Sequence, residues 1–173
     1  MNGALARSLE RTEVHRYPLW AMILVPLLAL SIQTRLGVFS ANASALDLAL
    51  LVTVYFASNR RSQIVGLLLG AAIGLAQDAL GSGPIGVFGI VKTLIGYIAS
   101  SLGAQIDVTH PLMRSILVFV SYYVHLAFYF VLVRVLLDRP MAMPPWGGLV
   151  RALVNAAVGV ILFDLLDRLR IKE

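Results

Sequence analysis

The segment GLLLGAAIGLAQDALGSGPIGVFGIVKTLIGY, residues 66–97, is almost wholly small and apolar, yet it holds Asp78 and Lys92. The two ionisable residues flank a Gly81-Ser82-Gly83-Pro84 turn. Before the turn, Gly66, Gly70 and Gly74 recur every four residues, which sets them along one slowly drifting helix ridge. After it, Gly89, Gly96 and Gly103 recur every seven, and Lys92 falls on their face. Ridges of small residues let helix backbones approach closely in lipid, where apolar burial supplies no drive for association. The segment therefore reads as a hairpin of two membrane helices with an inward-facing lysine.

The rest of the chain agrees. Of 173 residues, 59% are hydrophobic and 13% charged, and the mean hydropathy is +0.85. An ordinary soluble domain carries about 25% charged residues. The apolar residues come in blocks near the ~20 residues that a membrane-spanning helix needs. Six blocks are expected: Pro18–Thr34, Ala43–Ser58, Gln63–Leu80, Pro84–Ile106, Leu112–Leu137 and Trp146–Leu166. The second is short and contains Asp47, which makes it the weakest of the six. The expected fold is an all-α polytopic membrane protein with six transmembrane helices in one compact bundle. Residues 1–17 form a basic N-terminal tail, 18–167 the transmembrane domain and 168–173 a short C-terminal tail.

A net charge of +5 raises the question of nucleic acid. The Lys and Arg residues, however, lie mostly in short loops and at the chain ends, the pattern of membrane topology. Arg7, Arg11, Arg16, Arg60, Arg61, Arg114, Arg168, Arg170 and Lys172 fall on one side, and Arg35 and Arg139, with or without Arg134, on the other. Both termini are accordingly expected in the cytoplasm, with no nucleic-acid partner. No small-residue cleavage site ends the first apolar run, so it reads as a span rather than a removed leader. The tail itself sets topology or, with Arg7 and Arg11 four apart, forms a basic helix on an anionic lipid surface.

Cysteine is absent, which excludes disulfides and thiolate chemistry. No phosphate-binding loop, His-Glu-x-x-His zinc motif or serine elbow is present. No metal, cofactor or catalytic residue is therefore expected. The candidate structural or partner-binding residues are Asp78, Lys92, Asp47 and Arg151, with Gly70, Gly74, Gly86, Gly89 and Gly96. Asp78 is expected to pair with Lys92 across the hairpin. Asp47 and Arg151, the latter with Asn155 four residues on, lie at similar depth. These groups form either buried ion pairs that hold the bundle or an outward-opening cavity or partner groove. The glycine faces either receive a partner helix or pack on each other. Tyr122, His125 and Tyr129 share one face near mid-membrane. There His125 is expected to hydrogen-bond a tyrosine or backbone group rather than to carry protons. Asp164 and Asp167 read as interfacial.

A glycine-rich helix ending in Asp78, a small-residue turn with the Pro84-x-Gly86 step, and a helix bearing Gly96-Tyr97 together resemble the signature region of the rod shape-determining MreD family. The likeness covers about a fifth of the chain; length and hydropathy agree elsewhere. It implies a non-enzymatic component of the bacterial cell-elongation machinery in the cytoplasmic membrane. Such a protein binds MreC and, through that complex, MreB, RodA and its paired penicillin-binding transpeptidase, supporting side-wall peptidoglycan synthesis and cell shape. The resemblance also implies an S-component-like fold, and so an alternative: the substrate-binding S-component of an energy-coupling factor vitamin transporter. The first block, PLWAMILVPLLALSIQT, lacks the one-sided small-residue pattern such docking uses. A third reading, an enzyme acting on lipid-linked substrates through Asp47, Asp78 and Arg151, lacks a convincingly spaced acid–base pair.

Overall fold

The computed structural model describes residues 17–39, 45–81, 83–140 and 145–169. The expected basic helix of the N-terminal tail lies outside them. Six helices and no strand are present among the described residues. They are α1 (Leu19–Phe39), α2 (Leu48–Arg60), α3 (Gln63–Leu80), α4 (Val87–Gly103), α5 (Pro111–Val131) and α6 (Pro145–Asp167). A π-helical turn, Leu132–Leu136, extends α5. Helices α3, α5 and α6 are long and apolar enough to cross a membrane. The C-terminal ends of α1 and α3 lie at one end of the bundle with the N-terminal ends of α2, α4 and α6, called distal below; Tyr17, the C-terminal ends of α2 and α4 and the N-terminal end of α5 lie at the proximal end.

The weakest block of the sequence forms the centre of the fold. Every residue of α2 from Ala49 to Asn59 is buried, and α2 touches each of the other five helices. A helix that is apolar all round belongs in a core. Its 13 residues give about 20 Å at ~1.5 Å per residue, short of the ~30 Å hydrocarbon thickness. The block is thus a central, wrapped helix rather than a lipid-facing span. Its proximal end is fixed by Arg61 in the left-handed region (φ 52°), whose N–H donates to the Ala57 carbonyl. Edge-on rings seal that end: Tyr55 packs against Tyr17, Phe56 and Phe163 at centroid distances of 5.6, 5.3 and 5.0 Å.

The α3–α4 hairpin is the most intimate contact of the bundle. A Cβ on Gly70 would stand 2.0 Å from the Lys92 carbonyl oxygen. One on Gly96 would stand 2.0 Å from that of Gly66, and one on Gly74 2.3 Å from that of Phe88. These distances lie far inside van der Waals contact, so the backbones touch only because side chains are missing. Gly103 meets α2 in the same way, 2.2 Å from the Ser58 carbonyl. The glycine faces are therefore filled by packing on neighbouring helices and form no open groove for a partner. Large apolar side chains face outward instead, among them Ile23 and Leu27 on α1, Ile64 and Leu68 on α3, and Ile161 on α6.

Candidate functional site: a distal polar cluster

Asp78 sits in the last turn of α3, and its carboxylate caps α4 rather than pairing with Lys92. Oδ2 accepts from the Gly86 and Gly89 N–H groups at 2.9 Å each, and Oδ1 accepts from Phe88 N–H at 3.1 Å. The first N–H groups of a helix have no intrahelical acceptor, and an anion there also meets the positive end of the helix dipole. The turn delivers those donors because Gly86 adopts φ +98°, a conformation that L side chains rarely take. The expected Asp78–Lys92 pair is thus replaced: three backbone donors already surround the aspartate.

The partner of Lys92 is Asp47, immediately before α2. Lys92 Nζ donates to Asp47 Oδ2 at 2.9 Å and Oδ1 at 3.2 Å, with the lysine fully buried. Asp47 Oδ1 also accepts from Leu50 N–H at 2.8 Å, capping α2. One carboxylate thereby starts the central helix and neutralises an ammonium that alone would cost about 2.5–3.5 kcal/mol even on gentle insertion scales. Two amides hold it in place. Asn155 of α6 accepts from Asp47 N–H at 2.9 Å and donates to the Ala45 carbonyl at 2.7 Å. Gln33 of α1 accepts from Ala49 N–H at 2.9 Å.

His125 completes this layer. Its Nε2 lies 3.6 Å from Asp47 Oδ2, and its ring stacks on Phe88 and Tyr129. The expected hydrogen bond to a tyrosine does not form; the tyrosine is a stacking partner, and Nδ1 has no hydrogen-bond partner. Arg151 stands apart from the carboxylates. It is exposed on α6, its side chain lies against Tyr122, and no ion pair forms to it among the described residues. Of the four charged candidates, the structure joins Asp47 with Lys92 and leaves Asp78 and Arg151 each in separate surroundings.

A second layer at the proximal end gives partners to three residues that the sequence left unpaired. Arg114 is buried in the first turn of α5 instead of lying in a loop. It pairs with Asp164 and Asp167 of α6, and its Nε donates to the Val108 carbonyl at 2.7 Å. Asp167 also accepts from Tyr55 Oη at 2.7 Å, and Tyr55 from Tyr17 at 3.0 Å. The two aspartates thus clamp Arg114 at the proximal end of the bundle. Nearby, the α4–α5 loop is tightened by Asp107, which accepts from the Thr109 hydroxyl and N–H at 2.6 and 2.9 Å. These bonds hold the Asp107 carboxyl below the usual carboxylate range.

A distal cavity of about 190 Å³ opens between α1 and the α3–α4 tip, lined by Leu30, Gln33, Thr34, Gln77 and Phe88. Gln77 Oε1 is buried there without a hydrogen-bond partner. Among the described residues no group of three or more His, Cys, Asp or Glu side chains is arranged to hold a metal ion. Comparison with models of protein families, with curated proteins and with solved structures returned no match to this chain.

Proposed function

We propose that the chain is a non-enzymatic membrane scaffold of the MreD type, which binds MreC and ties it to side-wall peptidoglycan synthesis in the bacterial cytoplasmic membrane. In this reading all six helices lie within the bilayer, α2 shielded by the others, with both termini in the cytoplasm and the distal end facing outward. The observation that carries it is the use made of the signature residues. Asp78, the Pro84–Gly86 step and Gly96 together build one closed hairpin, so the motif serves architecture rather than turnover. Asp47, Lys92 and Arg114 are likewise engaged inside the fold. The surface left for work is apolar and helical, suited to helix–helix contacts in lipid.

The distal cavity and its unpartnered Gln77 Oε1 favour a second reading, a small-molecule-binding S-component. Depletion in a rod-shaped bacterial host, with vitamin uptake assayed in parallel, separates the two. The scaffold reading expects rounded cells with normal uptake. Intact rods with failed uptake would reject it in favour of the transporter.

A further inference from the structure

Arg151 stands about 9 Å inside the distal end of α6, at ~1.5 Å per residue from Pro145. An ionisable side chain within a spanning helix ordinarily faces the bundle interior and a counter-charge. This one is exposed and has no counter-charge among the described residues. Its side chain lies against Tyr122, and Gly148, one turn nearer the distal end of α6, faces Leu126, which stands about 15 Å below the distal end of the α5 segment at Leu136. Measured along α5, Arg151 therefore lies well below the distal end of that segment. Around it, α6 exposes a stripe of slender side chains at helical spacing: Gly147, Val150, Val154, Ala157 and Ile161. A second helix can approach such a stripe closely.

We infer that this face of α6 is the docking surface for a transmembrane helix that carries a carboxylate facing Arg151. The inference rests on the scaffold reading and names the surface through which its single-span partner is held. Charge complementarity selects that occupant. A lipid acyl chain offers the guanidinium nothing, whereas a carboxylate at matching depth accepts two of its N–H groups in parallel.

The full chain, reconstituted in zwitterionic liposomes, is tested against a synthetic leucine-rich single-span peptide with one Asp about 9 Å inside its end. The control is the same peptide with Leu at that position. Energy transfer is expected for the Asp peptide and not for the control. Arg151→Leu should weaken it at least about tenfold, the usual loss for a charged hydrogen-bond partner, while Arg151→Lys retains part. Because Arg151 is exposed, its variants should keep the wild-type melting temperature. Equal transfer for both peptides would overturn the inference, as would indifference to Arg151→Leu. Competition by anionic lipid alone would assign Arg151 to a phosphate, and self-association through α6 would assign it to a second copy; either result also overturns it. A photo-crosslinker at Val150 or Val154 in the host should capture the single-span partner. Capture only from Ile23 or Ile116 would end this inference and leave the scaffold reading intact; capture from no position would end the scaffold reading.

Discussion

Asp78 and Lys92 are close neighbours in the hairpin, yet each answers to a different group. The aspartate is satisfied by three N–H groups of the helix that follows its own turn, and the lysine reaches to a carboxylate from another part of the chain. The sequence makes both residues conspicuous, since charges are rare in apolar blocks. It does not reveal their partners, because the capping bonds depend on the φ of Gly86 and Asp47 approaches only in three dimensions. Asp164 and Asp167 were legible in spacing, three apart on one helix face, but their shared partner Arg114 sits 50 and 53 residues away. Four outcomes follow at this scale. Lys92→Met strands the Asp47 carboxylate in the core and should lower stability in detergent by about 3–5 kcal/mol. In the double variant Asp47→Asn/Lys92→Met the loss should fall well short of the summed single losses, since asparagine keeps the cap and no charge is left buried. A thermal-melt double-mutant cycle measures that coupling; for Asp78 with Lys92 the same cycle should give much less. Asp78→Ala, which orphans three donors, should cost at least about 1–3 kcal/mol, read as a drop in melting temperature. The folded Asp107 carboxyl lies below its unfolded value. Its contribution is therefore present above about pH 4 and lost as pH falls through the folded pKa, and Asp107→Ala should flatten that limb of the stability–pH curve.

The elements themselves were largely readable as apolar blocks. The bounds of α3 match the third block, and α5 with its π-helical turn and α6 depart from theirs by one residue at each end. What could not be read was the role of α2. Hydropathy reports how apolar a helix is, not whether lipid or protein surrounds it, so a wrapped core helix and a short span look alike. The glycine periodicity did carry packing information. It marked the faces that meet, and backbone contact shows why no larger residue fits. Gly96→Ala should force α3 and α4 apart and sharply reduce the folded yield. Gly83→Ala, at a turn position with nothing within 4 Å of the added methyl, should leave yield and melting temperature unchanged.

At the scale of the molecule, polar groups form two layers that tie the helices together near either end, and the outer surface is given over to apolar side chains. The bundle is held by Asp47, Lys92 and Asn155 distally and by Arg114, Asp164, Asp167 and Tyr55 proximally. Work done by such a molecule passes through its lipid-facing helices and its loops, and therefore depends on how it threads the membrane. The absence of cysteine makes that threading directly measurable. Single cysteines at Ser62, Gly83 and Asp138 can be challenged with a membrane-impermeant maleimide in intact and in permeabilised cells. Gly83→Cys and Asp138→Cys should label in intact cells, and Ser62→Cys only after permeabilisation. Labelling of Ser62→Cys in intact cells would contradict the account.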